Sequence, residues 1–198
     1  DFGTDNEKLR NNNLYVGLPR PRVKGPENFE LVDEWMEAVR SRWPKALIQF
    51  EDFSNTTALP LLQKYRNEHL CFNDDIQSTG CIAAAAVMAS LTTRGLTLAD
   101  LRKDRIVCAG AGSAGLGVCE AIVRAMVATG ASEDEARRNF CLVDQFGAIG
   151  IGRKDIATAQ IPFAQPAIKD GSTILETVQT FKPTILLGLS GIANLFTE

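Results

Sequence analysis

The sequence predicts an α/β fold in which parallel strands are flanked by helices. Short apolar runs of strand length alternate along the chain with longer segments that have helical periodicity. Between one such run and one such helix lies a glycine-rich string, Gly110-Ala111-Gly112-Ser113-Ala114-Gly115. Alternation of strands and helices along a chain is typical of parallel sheets that are covered by helices.

The composition limits the class of protein before any motif is considered. The chain has 198 residues, which is enough for one or two domains with a sizeable core. It is 45% hydrophobic and 23% charged, as in an ordinary soluble globular protein. The net charge of −3 gives no electrostatic support for nucleic acid or an acidic membrane as a partner. No wholly apolar stretch reaches the roughly 18 residues of a membrane span.

The cysteines and the first residue indicate the setting of the chain. Five cysteines are present without a C-x-x-C pair. An odd number without the spacing of a disulfide framework predicts reduced thiols in an intracellular protein. The chain begins at Asp1 rather than Met and ends directly after a strand pattern. We therefore expect it to be a piece of a longer protein.

The first third of the chain predicts helices that alternate with short strands. A capping box at Thr4-Asp5-Asn6-Glu7 predicts a short helix over 5–12. After a proline-rich connector, apolar residues at helical spacing predict an amphipathic helix over 28–43. The apolar run 46–50 predicts a strand, and Asn55 is expected to cap a helix that ends near residue 67. A second short strand is predicted near Cys71.

A pair of acidic residues follows each of these predicted strands. Glu51-Asp52 follows the first, and Asp74-Asp75 follows the second within Phe72-Asn73-Asp74-Asp75-Ile76-Gln77. If the strands are parallel, both pairs lie at carboxyl ends, where α/β sheets place their ligand crevices. Acidic residues in such loops are often simply solvated, but carboxylates that share one rim also suit Mg²⁺ or Mn²⁺, which prefer oxygen ligands. Spacing alone leaves both interpretations open.

The glycine-rich string has the setting of a dinucleotide-binding turn. A predicted strand over 105–109 precedes it, and helical periodicity follows it over 116–127. Glycines at this spacing let backbone N–H groups at a helix N-terminus approach a pyrophosphate. The alternative is a turn that serves only close packing of a helix on a strand. The strand 140–144 ends in Asp144, which we expect to bind the ribose hydroxyls of an adenosine.

The remaining segments complete a Rossmann-like part. We expect a largely buried helix over 78–93, a capped helical turn at 97–100 and another at 132–135. An irregular excursion over 147–165 and a helix over 172–181 follow. The apolar run 184–189 predicts a buried strand, and Ser190-Gly191 at its end would lie along the cofactor crevice.

Taken together, the two acidic strings and the glycine turn closely resemble malic enzymes. The resemblance covers the whole chain, and the long string Phe-Asn-Asp-Asp-Ile-Gln is its most specific part. The markers are Asp1 to Asn6, Gln49 to Phe53, Lys64 to Arg66, Phe72 to Thr79, Gly110 to Gly117 and Leu195 to Thr197.

The resemblance implies oxidative decarboxylation of malate to pyruvate and CO₂, with hydride passing to NAD or NADP. It implies that Glu51, Asp52 and Asp75 ligate Mn²⁺ or Mg²⁺ and that Asp74 partners the lysine base of the family. A metal ion would act on malate as Lewis acid and template. The residues that match cofactor contacts are Asn55, Thr79, Gly110, Gly112, Ser113, Ala114, Gly115, Asp144, Ser190 and Gly191.

Three departures from the family pattern matter. Ser78 stands where the string usually has Gly. Gln160 aligns where NADP-dependent members carry a lysine for the 2′-phosphate, so NAD is favoured over NADP, although Arg153 and Lys154 lie nearby. The tyrosine acid, lysine base and substrate-binding arginine of the family would precede Asp1, and its later asparagines would follow Glu198.

These expectations define the starting hypothesis. Residues 1–73 would be part of a malic-enzyme catalytic domain, and 74–198 the first part of an NAD(P)-binding domain. The parent protein would be a homo-oligomer in the cytoplasm or mitochondrial matrix, with malate and pyruvate as substrates and neither nucleic acid nor membrane as partner. We expect the chain alone to be inactive. The alternatives are a non-catalytic nucleotide-binding or assembly module and a different NAD-dependent dehydrogenase, although the latter does not explain the acidic strings.

Overall fold

The chain forms an α/β structure, as predicted. It is seen in a computed structural model that describes residues 1–54 and 56–196. The α-helices are α1 (Glu7–Arg10), α2 (Pro26–Arg42), α3 (Ala58–Tyr65), α4 (Thr79–Thr93), α5 (Ser113–Ala128), α6 (Glu133–Arg138) and α7 (Ile174–Phe181). The strands are β1 (Ile48–Phe50), β2 (Cys71–Asn73), β3 (Ile106–Ala109), β4 (Phe140–Asp144), β5 (Gly147–Ala148) and β6 (Ile185–Gly188).

The chain divides into two compact units. The first unit contains Asp1–Ile48 and Gln63–Cys71, and the second contains Gln49–Leu62 and Phe72–Glu198. Both acidic pairs therefore belong to the second unit, together with the glycine turn.

In the first unit, the predicted N-terminal helix is shorter than expected and begins at a different cap. The side chain of Asn6 accepts the N–H groups of Lys8 and Leu9 and starts α1. The hydroxyl of Thr4 accepts the N–H of Asn6 instead, at 3.1 Å, so the capping box predicted from Thr4 does not form.

The longest helix of the first unit, α2, buries only part of its apolar face. Val32 and Met36 are buried, as the periodicity predicts, but Trp35 is 49% exposed. Near the middle of α2, Asp33 accepts hydrogen bonds from the ammonium of Lys64, at 2.6 Å, and from the hydroxyl of Tyr65. Those two donors hold the pKa of Asp33 below its usual value.

The second unit is organised on a four-stranded sheet with the order β5-β4-β3-β6. The central strand β3 is parallel to β4 and to β6, with Ile106 opposite Phe140 on one side and Ile185 on the other. β5 runs antiparallel at the edge beside β4. Three parallel strands joined through helices place the loops that follow β3, β4 and β6 at one edge of the sheet. The separate two-stranded sheet contains β1 and β2.

Two predictions about burial are wrong. The helix predicted over 78–93 buries one side only, and Ile82 on its other side is 73% exposed. The strand predicted over 184–189 was expected to be buried, but Leu186 in β6 is 45% exposed. The physical reason is that β6 pairs with β3 alone among the strands that the structure describes.

The helical segment Asp74–Thr93 would be long and apolar enough to cross a membrane by length and composition only. The apolar helices of soluble proteins commonly pass the same test, so this property gives weak support for a membrane.

A buried carboxylate joins the end of α4 to the segment that leads into β6. Asp104 is 2% exposed and accepts two hydrogen bonds from the guanidinium of Arg94, at 2.7 and 3.0 Å. It also accepts the hydroxyl of Thr184, at 2.8 Å, just before β6. Asp104 therefore links the amino ends of β3 and β6 to the end of α4, the helix that follows the second acidic string.

We predict that Asp104→Ala lowers the free energy of unfolding by about 2 kcal/mol, because it removes the acceptor of two hydrogen bonds from the guanidinium of Arg94 and of one from the hydroxyl of Thr184. Urea unfolding followed by circular dichroism measures the change. The matched control is Asp134→Ala at an exposed position of α6, which should change the value by less than about 0.5 kcal/mol. Equal stability of the two variants would contradict the prediction.

Candidate functional site

The glycine turn lies between the carboxyl end of β3 and the start of α5. Helix α5 begins at Ser113 with Gly112 as its N-cap, so the first N–H groups of the helix point out of this loop. The structure thus brings together five of the residues predicted to bind a cofactor, namely Gly110, Gly112, Ser113, Ala114 and Gly115.

Two of these glycines are required by the geometry. Gly110 has a φ of +120°, and a Cβ there would lie 2.3 Å from the carbonyl oxygen of Leu189. A Cβ on Gly115 would lie 1.9 Å from the carbonyl oxygen of Gly110. Only glycine fits at either place, so the backbone forms a tight cradle in front of the helix N-terminus.

A cavity of about 430 Å³ opens beside this turn. Its volume falls in the range of small-molecule and cofactor sites. The cavity is lined by Ala109, Gly110, Ala111, Gly112, Val143, Asp144, Gln145, Phe146, Asp155, Gln160, Ile174, Ser190, Ile192 and Leu195. The loops after β3, β4 and β6 therefore meet at one crevice, and the predicted residues Asp144 and Ser190 belong to it, whereas Gly191 is not part of its lining.

Asp144 occupies the end of β4, as the sequence predicted, but it is held by a partner that the sequence did not identify. Its carboxylate accepts two hydrogen bonds from Arg153, at 2.8 and 3.3 Å, and the N–H of Phe146 at 2.8 Å. The side chain of Arg153 is only 8% exposed and also binds Asp155 at 2.8 Å. These two carboxylates raise the pKa of Arg153. The guanidinium is consequently occupied within the fold.

Gln160 lies on the other side of the same cavity. Its amide nitrogen donates to the carbonyl oxygen of Ala111 in the glycine turn, and its amide oxygen accepts the N–H of Ala157, both at 2.9 Å. A neutral amide is thus held against the turn at the position that the sequence predicts to distinguish NAD from NADP.

The second acidic string forms a turn of π-helix, which sequence reasoning missed. The turn covers Asp74–Ser78 and leads directly into α4, and the N–H of Thr79 binds the carbonyl oxygen of Asp74. Such turns contain one extra residue and are frequent at functional sites. Asp74 and Asp75 are half-buried in this turn, and Thr79 is the first residue of α4.

The side chain of Asn73 holds the start of the π-helical turn. It is fully buried, and its amide oxygen accepts the N–H of Ile76 at 2.9 Å. The backbone N–H of Asn73 donates to the side-chain oxygen of Gln77, also at 2.9 Å. Within the described residues, the amide nitrogen of Asn73 has no hydrogen-bond acceptor. A buried donor of this kind destabilises the fold and often marks a functional site.

The structure joins the two acidic strings through one contact. The N–H of Asp52 donates to the carboxylate of Asp75 at 2.9 Å, and Asp52 has a φ of +56°, which is unusual for a residue with a side chain. Glu51 is exposed, and its carboxylate accepts the side-chain amide of Gln49 at 2.5 Å.

The predicted metal ligands are therefore only partly assembled. Over residues 1–54 and 56–196, no three His, Cys, Asp or Glu side chains converge on one point. The ligand role of Glu51, Asp52 and Asp75 stays a prediction, and Asn55 lies outside the described residues.

Three of the five cysteine thiols are buried. Cys108, Cys119 and Cys141 are buried. Burial raises the pKa of Cys141 to about 12, and a neighbouring thiol together with burial raises that of Cys119. The raised pKa values keep the thiols of Cys119 and Cys141 protonated near neutral pH.

Comparison with known protein families decides the relationship. The model described as "Malic enzyme, N-terminal domain" matches residues 1–66, and that described as "Malic enzyme, NAD binding domain" matches residues 76–198. The chain belongs to the malic enzyme family. The resemblance drawn from the two acidic strings and the glycine turn is thereby confirmed.

Relatives in the family share much of the sequence over this whole chain. The hydrogenosomal malic enzyme of Neocallimastix frontalis is 48% identical over 198 residues, and these cover 100% of this chain and 33% of the relative. The mitochondrial NAD-dependent malic enzyme 2 of Arabidopsis thaliana is 43% identical, with the same coverage of 100% and 33%. The chain therefore spans about a third of the length of these curated malic enzymes.

Solved structures agree at the level of the fold. A malic enzyme from Entamoeba histolytica superposes with a TM-score of 0.61 at 22% identity, covering 86% of this chain and 35% of the other. An NAD-dependent malic enzyme from Thermotoga maritima gives a TM-score of 0.56 at 17% identity, covering 86% and 43%.

We predict that Arg153→Met destabilises the chain by about 3 kcal/mol, because it leaves the mostly buried carboxylate of Asp144 without its cation. Thermal or urea unfolding checks this value. Lys154→Met removes an exposed positive charge from the adjacent residue and should leave stability nearly unchanged. A similar effect of both substitutions would mean that the pair of Arg153 and Asp144 contributes little.

Proposed function

We propose that this chain is the cofactor-binding and metal-carboxylate part of an NAD-dependent malic enzyme, which converts malate and NAD to pyruvate, CO₂ and NADH. The single observation that carries the proposal is the family match over residues 76–198. It agrees with the glycine cradle in front of α5 and with the conjunction of that cradle and the Asp-Asp turn in one compact unit.

The cradle fits the dinucleotide. The N–H groups at the start of α5 would bind the pyrophosphate. The lack of a Cβ at Gly110 and Gly115 lets the turn close against the carbonyl oxygens of Leu189 and Gly110 and so forms the cradle. Asp144 at the end of β4 lines the cavity, and its carboxylate would accept hydrogen bonds from the ribose hydroxyls. When bound, the nicotinamide would supply the hydride acceptor for the reaction.

The residues around Asp144 favour NAD over NADP. A 2′-phosphate would bring negative charge next to the carboxylates of Asp144 and Asp155. The guanidinium of Arg153 is already bound by both carboxylates, and Gln160 offers a neutral amide. The relatives from Arabidopsis thaliana and Shewanella baltica are named as NAD-dependent, which supports the same choice.

The carboxylates fit a hard divalent cation by their chemistry. Glu51, Asp52 and Asp75 offer oxygen donors, the ligand type of Mn²⁺ and Mg²⁺, and we propose that they hold the ion. Such an ion supplies a Lewis acid for the hydroxyl and carboxylate of malate. Asp74, half-buried beside Asp75, would hold a basic side chain in place by hydrogen bonding.

We further propose that the 198 residues alone bind ligands without turning over malate. The tyrosine and lysine that perform proton transfer in the family have no counterpart here. Tyr65 is not available as the acid in this geometry, because its hydroxyl proton is donated to Asp33, and burial together with this contact raises its pKa.

The hydrogenosomal and mitochondrial locations in the names of two relatives support an intracellular location for the parent protein.

We expect the chain to bind NAD at least about tenfold more tightly than NADP, because the described residues that line the cavity include no Lys or Arg for the 2′-phosphate. Isothermal titration with each nucleotide measures both affinities. Gln160→Lys should narrow the difference by supplying a charge, whereas Gln160→Met, of similar size and uncharged, should not. Preferential binding of NADP by the unaltered chain would refute the assignment.

We expect Mn²⁺ to bind the chain and Asp75→Asn to weaken that binding at least about tenfold. Titration followed by electron paramagnetic resonance of free Mn²⁺ provides the measurement, with Asp134→Asn as an exposed control. NAD binding by a chain that shows no Mn²⁺ binding would favour the alternative, a nucleotide-binding module without metal chemistry. Malate-dependent NADH formation by the isolated chain would contradict the proposed lack of turnover.

A further inference from the structure

Helix α5 touches the π-helical turn of the second acidic string without side chains between them. A Cβ built on Gly117 would lie 2.4 Å from the carbonyl oxygen of Ile76 and 3.1 Å from its Cα. Both are backbone atoms, which cannot swing aside as the end of a side chain can. Glycine at this position is therefore required by the contact itself.

A second glycine completes the same contact from the other helix. A Cβ on Gly80, at the start of α4, would lie 2.7 Å from the carbonyl oxygen of Gly117. Gly80 is buried, and the π-helical turn and α4 follow each other without a break. The two helices thus meet backbone to backbone where the acidic string passes over α5.

Ile76 stands directly after the two aspartates, so its position fixes theirs. The N–H of Ile76 binds the buried side chain of Asn73, which closes the turn around Asp74 and Asp75. The carboxylate of Asp75 in turn receives the N–H of Asp52. A displacement of Ile76 would consequently pass to the contact that joins the two acidic strings.

We propose that Gly117 is a positioning residue for the acidic site, and that its missing side chain sets the placement of Asp75 relative to Asp52. This inference rests on the proposed function, because it assigns Asp75 to the metal site. A Cβ that lies 2.4 Å from the carbonyl oxygen of Ile76 is about 1 Å closer than an ordinary contact, so the backbone must shift by about that much. Errors of that size in catalytic geometry have large effects on rate. Sequence reasoning had taken Gly117 only as part of the glycine-rich family marker.

The test replaces Gly117 by Ala in the 198-residue chain and measures two properties. We expect Mn²⁺ affinity to fall about tenfold, the size of effect seen when supporting groups of a metal site are altered. We also expect the backbone amide signal of Asp52 to shift in a ¹⁵N–¹H spectrum, because its acceptor on Asp75 moves. NAD affinity should stay near that of the unaltered chain, because the loop at the start of α5 does not change.

Two further variants separate positioning from general destabilisation. In Gly80→Ala the new Cβ would lie 2.7 Å from the carbonyl oxygen of Gly117, which is a less severe clash. This variant should change the Mn²⁺ affinity and the amide signal of Asp52 in the same direction, but by less. Ala128→Ser, at the exposed end of α5, should change neither. If Gly117→Ala loses its dispersed amide spectrum, Gly80→Ala takes its place in the comparison.

The outcomes distinguish this inference from the proposed metal role. A folded Gly117→Ala variant with unchanged Mn²⁺ affinity, or with an unchanged Asp52 amide, overturns the inference. If the unaltered chain binds no Mn²⁺, the metal proposal fails, and the Asp52 amide alone decides whether Gly117 positions the two strings.

Discussion

The close approach of backbone to backbone around helix α5 is the constraint on which the second unit depends. At its start, Gly115 lies against the carbonyl oxygen of Gly110, and this contact shapes the cofactor cradle. One half-turn later, Gly117 lies against the carbonyl oxygen of Ile76 in the acidic string. Helix α5 therefore contacts both the loop that we propose to face the dinucleotide and the turn that carries the aspartates. Each contact is possible only because glycine has no Cβ.

The acidic string itself is an energetically unfavourable local structure. It contains a π-helical turn, a buried amide nitrogen on Asn73 without an acceptor among the described residues, and a link to Asp52, whose backbone is left-handed. Features of this kind persist when the surrounding structure holds them, and they concentrate at functional sites. The carboxylates of one such segment also repel each other until a cation or a basic side chain compensates them. The free energy that these features cost the fold is consistent with a segment selected for chemistry rather than for stability.

At the other end of the crevice, electrostatics bear on the choice of cofactor. Asp144 is held by Arg153, which is mostly buried and is shared with Asp155. This arrangement satisfies a carboxylate inside the fold and, at the same time, removes the nearest arginine from competition for a phosphate. The glutamine at position 160 contributes only a neutral hydrogen bond to the glycine turn. The geometry of this corner thus supports our proposal of NAD, which is also the cofactor named in the matching family description.

The sequence by itself determined the family, the α/β class and most of the elements, since strand 140–144, the capped turns and the strand–glycine–helix arrangement depend on neighbouring residues. It also placed Asp144 at the end of its strand. Only the tertiary structure decided what depends on residues distant in the chain: the partner of Asp144, the exposure of Ile82 and Leu186, and the meeting of Gly117 with Ile76. Local propensity and periodicity describe what a segment prefers, whereas pairing, burial and backbone contact are set by what the fold brings beside it.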